Sequence, residues 1–247
     1  MMDKDYQIFG IRAVIEAITA GKTVDKVFVQ KGLKGSLFQE LQVLLQKEQI
    51  MISYVPVEKL NRLTKKNHQG VVANVSPVEY HDFENLVINT IESGVTPLFL
   101  VLDHLSDVRN FGAIIRTAEC TGVSGIIIPK RGSVSVTADT VKTSAGAVFK
   151  VPICKVDNLR DAIYYLQGSG IKTVVATEKT DQQIYDVTMT EPLAIIMGAE
   201  DVGVSPALLK LSDEKAKLPM LGDISSLNVS VACGVFLYEV VRQRLTK

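Results

Sequence analysis

Five segments of this 247-residue chain are almost uninterruptedly apolar: 98–103 (LFLVLD), 125–129 (GIIIP), 151–156 (VPICKV), 171–177 (IKTVVAT) and 193–198 (LAIIMG). A strand with one wet face alternates in polarity, whereas a strand buried on both faces reads as a continuous run. The segments between and after these runs (110–121, 137–145, 158–168, 205–211 and 226–244) read as helices. Strands of this kind alternating with helices predict an α/β fold, a parallel sheet covered by helices on both sides. Open parallel sheets bind ligands beyond the carboxyl ends of their strands. Asp103, Pro129, Thr177 and Gly198, at the ends of four of the runs, are therefore the first positions to weigh.

The chain before residue 98 reads differently. A helix is expected over 7–20 after a turn at Gly10, then a strand at 26–30, a helix at 36–48, a strand at 50–55, a helix at 57–64 and a strand at 70–76. These elements predict a small α/β domain over residues 1–76. Residues 77–97 have a Pro-bearing start, a helical middle and a Gly/Pro end, and are expected to link it to a second domain over 98–247.

Composition removes several classes of function. Lys plus Arg and Asp plus Glu both number 27, so the net charge is zero and any nucleic-acid site must be a local patch. The three cysteines, Cys120, Cys154 and Cys233, are scattered, which argues against a disulfide framework or zinc site and fits a reducing cytoplasm. His68, His81 and His104 show no metal-ligand spacing, so no metal is expected. The first ten residues lack the apolar core of a signal peptide, and no run is long enough to span a membrane, so no membrane association is expected. No G-x-G-x-x-G follows a predicted strand; GKT at 21–23 lacks the first glycine of a phosphate loop, its place taken by Glu16.

Three segments carry polar residues where a simple core would not need them. In 105–122, Phe111, Ile114, Ile115 and Ala118 form one apolar helical face, Asn110 stands where a helix cap is expected, and Arg116 lies off the stripe. In 195–206, a buried strand ends at Gly198 and is followed by Glu200, Gly203 and a Ser205-Pro206 helix start. In 218–241, Pro219, Gly222 and Asp223 form a loop, Ser225 or Ser226 can cap the next helix, and Asn228 is a cap or a structural amide. That helix is apolar on almost all sides, which predicts burial, against another subunit if not within the chain.

In order and spacing, NFGAIIRTA (110–118), MGAEDVG (197–203), LPMLG (218–222) and SLNVSVA (226–232) resemble the SpoU (TrmH-like) class of RNA ribose 2'-O-methyltransferases. The resemblance covers roughly residues 98–245 and departs from the family pattern at Val108, where the class often has proline. IFGIRAVIEAI (8–18) with KKNHQGVVA (65–73) resembles the substrate-binding extension of the subgroup acting on a guanosine of large-subunit (23S) ribosomal RNA, a domain similar to ribosomal protein L30e.

The resemblance implies a carboxy-terminal domain knotted as a trefoil, S-adenosylmethionine as cofactor and a homodimer whose active site is completed across the interface. It implies Arg116, Asn110, Glu200, Ser226 and Asn228 as catalytic residues, and Thr177, Gly198, Leu218, Met220 and Leu227 as cofactor contacts. A guanidinium, with a pKa of roughly 12 or more, is a poor base. Arg116 is better suited to bind the adjacent phosphate and stabilise the developing oxyanion, with Glu200 or water taking the proton. Lys65, Lys66 and Arg109 are candidate RNA contacts, and loop or single-stranded RNA is the expected target. A tRNA-directed enzyme of the same class, a catalytically silent RNA-binding protein and an unrelated small-molecule enzyme are the alternatives.

Overall fold

The computed structural model describes residues 6–224 and 226–246. The chain divides into two compact units. One comprises residues up to Glu79 with Ser135–Ala138, the other Tyr80–Val134 with Asp139–Lys247.

The first unit runs β1 (Gln7–Phe9), α1 (Ile11–Thr19), β2 (Val24–Gln30), α2 (Ser36–Lys47), β3 (Met51–Val55), α3 (Val57–Leu63) and β4 (Val71–Val75). Its sheet has the order β1-β4-β2-β3; β2 and β3 are parallel and the other pairs antiparallel. Strand alternation builds two clusters. Val27 and Val29 pack with Val14, Leu41 and Leu45, while Phe28 packs with Leu60 and Val72. Residues 7–9, expected as the start of a helix, are a strand. Gly10, at φ +92°, turns the chain and donates its N–H to the Val71 carbonyl. That leaves Gln7–Phe9 paired along β4 and delays α1 to Ile11.

The second unit opens with α4 (Phe83–Glu92), which lies in the stretch expected as a linker and buries Val87 in the same cluster as Phe99 and Ile127. There follow β5 (Leu98–Leu102), α5 (Val108–Cys120), β6 (Gly125–Pro129), α6 (Ala138–Thr143), β7 (Ile153–Val156), α7 (Leu159–Gly168), β8 (Lys172–Ala176), β9 (Leu193–Met197), α8 (Pro206–Leu211), β10 (Glu214–Ala216) and α9 (Val229–Leu245). The six strands lie in the order β10-β8-β9-β5-β6-β7, and every neighbouring pair described is parallel. All five residues of β5 and of β9 are buried, which accounts for their unbroken apolar runs.

β10 was not expected: a three-residue polar edge strand has no periodicity to read. The Asp213 carboxylate holds its start against β8, accepting bonds from the Thr173 N–H at 2.8 Å and the Thr173 hydroxyl at 2.7 Å.

The caps set where α5 and α9 start. Asp107, not Asn110, caps α5: its Oδ1 accepts the Asn110 N–H at 2.7 Å, so Asn110 lies in the first turn with its amide side chain free for other work. Asn228 caps α9, accepting the Ser230 N–H at 3.0 Å. Ser226 therefore precedes the cap, and Ser225 lies outside the described residues. Nor is α9 buried all round. Val229, Cys233, Phe236, Leu237 and Val240 face inward, while Val231, Val235, Tyr238 and Leu245 are exposed.

Candidate active site

In the second unit the chain builds β5, β6 and β7 outward in one direction and places β9 on the opposite side of β5. The carboxyl ends of β5 and β9 thus adjoin at a topological switch point, where open sheets form a crevice. The Asp103 N–H donates to the Met197 carbonyl there at 2.8 Å.

β9 runs into a tight turn. A Cβ on Gly198 would lie 2.1 Å from the carbonyl carbon of Gly203 and 2.2 Å from the Val204 nitrogen, so only glycine permits this backbone approach. Gly203, at φ +67°, returns the chain, and its N–H donates to the Ala199 carbonyl at 2.9 Å. Glu200 is presented at the tip, exposed to solvent.

Three polar side chains from three segments converge beside this turn. The Nδ2 of Asn228 donates to Asn110 Oδ1 at 3.0 Å and to Glu200 Oε2 at 3.2 Å. Its Oδ1 accepts the Ser230 N–H and, at 2.6 Å, the Ser230 hydroxyl. One amide thus caps α9 and ties it both to α5 and to the turn after β9, using its donors and its acceptor together.

A cavity of about 740 Å³ opens next to this cluster, at the carboxyl ends of β8, β9 and β10. Thr177, Gly198, Leu218, Met220 and Leu227, the five expected cofactor contacts, all line it, as do Glu200 and Ser226. Val229, Ala232 and Phe236 of α9 form part of its apolar wall. Glu178, Lys179, Gln183 and Lys217 line it as well and were not anticipated. The first two directly follow Thr177, so the strand-end rule could have found them. Lys217 follows the unread β10.

Arg116 belongs to neither group. It is exposed on α5, and its side chain makes no hydrogen bond or ion pair among the described residues. Arg109 is exposed on the first turn of α5. Lys65 and Lys66 are exposed in the first unit, where the Lys66 Nζ stands 4.9 Å from the Phe9 ring centroid. Burial pushes the Cys154 and Cys233 thiols up to about 12, so neither supplies a thiolate nucleophile. Among the described residues, no group of His, Cys, Asp and Glu could hold a metal ion, and no helix is long and apolar enough to cross a membrane.

Residues 97–238 match the model of the SpoU rRNA Methylase family. The chain belongs to the SpoU family. Residues 7–81 match the model for RNA 2'-O ribose methyltransferase substrate binding. A Staphylococcus haemolyticus protein named as a TrmH family tRNA/rRNA methyltransferase is 36% identical over 241 residues, 98% of this chain and 97% of its own length. The SpoU methyltransferase AviRb of Streptomyces viridochromogenes superposes with a TM-score of 0.62 at 25% identity, covering 98% of this chain and 90% of its own. A crystal structure of AviRb with AdoMet gives a TM-score of 0.61 at 26% identity, covering 98% and 91%. In this SpoU chain the family match spans the Asn110–Asn228–Glu200 cluster and all the residues that line the cavity.

Proposed function

We propose that this SpoU chain transfers a methyl group from S-adenosylmethionine to the ribose 2'-hydroxyl of a guanosine in 23S ribosomal RNA, in the cytoplasm. The observation that carries the proposal is the meeting of Asn110, Asn228 and Glu200 beside an apolar-walled cavity at a sheet switch point. The cavity suits the cofactor in size and chemistry. Leu218, Met220 and Leu227 offer apolar walls to adenine; the glycine at 198 and Thr177 leave main-chain groups within reach; Glu178 and Lys179 offer both charges to a zwitterionic tail. When bound, S-adenosylmethionine supplies an electrophilic methyl group on a sulfonium.

The chain's own residues prepare the nucleophile. Glu200, or a water it holds, accepts the proton of the 2'-hydroxyl. Asn228 fixes Glu200 and Asn110 through its two amide hydrogens, and Ser226 lies on the same cavity wall. Arg116 pairs with the adjacent phosphate through its planar fork and steadies the developing oxyanion. Its position outside the cavity lining fits a site that a second copy completes. Val231, Val235, Tyr238 and Leu245 follow one another at i, i+4, i+7 and i+14, an exposed apolar stripe suited to a homodimer contact.

Residues 1–76 act as an L30e-like RNA-binding domain, with Lys65 and Lys66 contacting phosphates; in the second unit Arg109 of α5 does the same. Residues 77–97 are the linker and 98–247 the methyltransferase domain. The carboxy-terminal chain is threaded as a trefoil knot, a reading supported by the return of Asn228 to Asn110; a crystal structure tracing these loops unthreaded contradicts it.

A second reading, tRNA as the substrate, is favoured by one likeness. The structure described as the A. aeolicus TrmH/SpoU tRNA modifying enzyme is 29% identical, with a TM-score of 0.56 over 66% of this chain and 85% of its own. Incubating the protein with radiolabelled S-adenosylmethionine and separate rRNA and tRNA pools decides between them. Label in rRNA alone supports the first, label in tRNA alone the second, and label in neither overturns both.

A further inference from the structure

Asp103 directly follows β5 and is 5% exposed. Its two ends grip one structure. The backbone N–H donates to the carbonyl of Met197, the last residue of β9. The carboxylate Oδ2 accepts the N–H of Ser205 at 2.8 Å, across 102 residues of sequence. Met197 and Ser205 are the two stems of the turn that carries Glu200. A single residue at the carboxyl end of β5 therefore clasps that turn from both sides, and the Gly203–Ala199 bond closes it across the middle.

The neighbouring residue completes the arrangement. His104 has φ +56°, a backbone state that residues with a side chain rarely adopt. Its Nε2 lies 3.5 Å from Asp103 Oδ1. The left-handed step at His104 leads the chain from β5 to Asp107, the cap of α5, and on to Asn110. Asp103 and His104 thus connect the two partners that Asn228 joins, Glu200 on one side and Asn110 on the other.

We propose that Asp103 is a positioning residue for the methyl transfer. It holds Glu200 in register with Asn228 and Asn110 by accepting the Ser205 N–H. The inference rests on the proposed role of Glu200 in the reacting centre. Asp103 is absent from the cavity lining, so it acts on the rate through the turn rather than by holding the cofactor.

The test uses four variants of the full chain: Asp103→Ala, Asp103→Asn, Ser205→Pro and the double variant Asp103→Ala/Ser205→Pro. Ser205 has φ −58°, which a proline ring also holds, so Ser205→Pro removes the donor while keeping that torsion. Single-turnover transfer of tritiated methyl to RNA and calorimetric affinity for S-adenosylmethionine are both read.

Asp103→Ala and Ser205→Pro are each expected to slow transfer about tenfold or more, with affinity changed by less than about threefold. Asp103→Asn, whose amide oxygen still accepts the N–H, keeps the rate within about threefold of the parent. The double variant is no slower than the slower single one, because both remove one bond. A parental rate in Asp103→Ala, losses that multiply in the double variant, or Asp103→Asn as slow as Asp103→Ala overturns the proposal. If Asp103→Ala does not fold, Ser205→Pro and Asp103→Asn decide, and a parental rate in Ser205→Pro overturns it. If the parent methylates no RNA, the proposed function fails separately. The clasp is then read from hydrogen exchange of the Ser205 amide, which Asp103→Ala accelerates if the clasp exists and leaves unchanged if it does not.

Discussion

The Nδ2 of Asn228 sits 3.0 Å from the Oδ1 of Asn110, 118 residues earlier in the chain, joining the cap of α9 to the first turn of α5. The same residue caps α9, so its structural and site roles must be separated by choice of substitution. Asp retains an oxygen that caps a helix but has no amide hydrogens, and it sets a negative charge beside Glu200. Asn228→Asp is expected to hold most of the stability and lose about tenfold or more of the transfer rate. Asn228→Ala loses the rate and about 1 kcal/mol of stability as well. Urea unfolding and initial transfer rates check this, and full activity in Asn228→Asp contradicts it.

Gly198 tests the turn itself. The methyl group of Gly198→Ala would overlap the Gly203 and Val204 backbone, which cannot rotate away as a flexible side chain would. The expected result is a loss of about 1–3 kcal/mol in stability and a marked fall in S-adenosylmethionine affinity, since this turn walls the cavity. A urea titration and calorimetry read both quantities. Parental affinity in the alanine variant would show that the turn does not shape the binding site.

The outer stripe of α9 gives a prediction about assembly. Val235 is 37% exposed, so glutamate there is tolerated within one copy of the chain but places charge in an apolar contact between two. The parent is expected to sediment as a dimer and Val235→Glu as a monomer with reduced transfer. A monomeric parent, or a variant that remains dimeric, removes the stripe from the account.

Stability should respond to acid through Glu239. The Arg242 guanidinium donates to both carboxylate oxygens, at 2.7 and 2.8 Å, and Gln243 adds a third bond. These bonds hold the Glu239 carboxyl below its ordinary value of 4.5. A depressed carboxyl stabilises the fold at pH above its unfolded value, and that contribution is lost as pH falls through the folded one. Glu239→Gln is therefore expected to be less stable than the parent at neutral pH and to lose less on acidification below 4.5. Thermal unfolding measured from neutral to acid pH checks the sign; parallel curves contradict it.

Much of this architecture is legible in the sequence, for identifiable physical reasons. β5 and β9 are buried on both faces, and nothing but an apolar run satisfies that environment. β10 escaped because Glu214, Lys215 and Ala216 are held by backbone pairing and the Asp213 carboxylate, which leave no pattern in the side chains. Asn110 was expected as a cap because it is chemically fit to be one; Asp107 is equally fit, and the choice depends on where the preceding loop releases the chain. Periodicity marked Asn110, Glu200 and Asn228 as out of place but could not bring them together, because strand order decides which loops meet. The apolar character of α9 was legible, whereas its division into an inward and an outward face needed the packing.

In the proposed reaction this site methylates a ribose 2'-hydroxyl with the help of the Arg116 guanidinium. Its most direct test is nucleoside mass spectrometry of 23S rRNA after incubation with S-adenosylmethionine, using the parent and Arg116→Lys side by side. The expected result is 2'-O-methylguanosine with the parent and loss of most of it with the lysine variant, whose point charge cannot replace the planar fork. No methylated ribose with the parent, or near-parental turnover by Arg116→Lys, contradicts it.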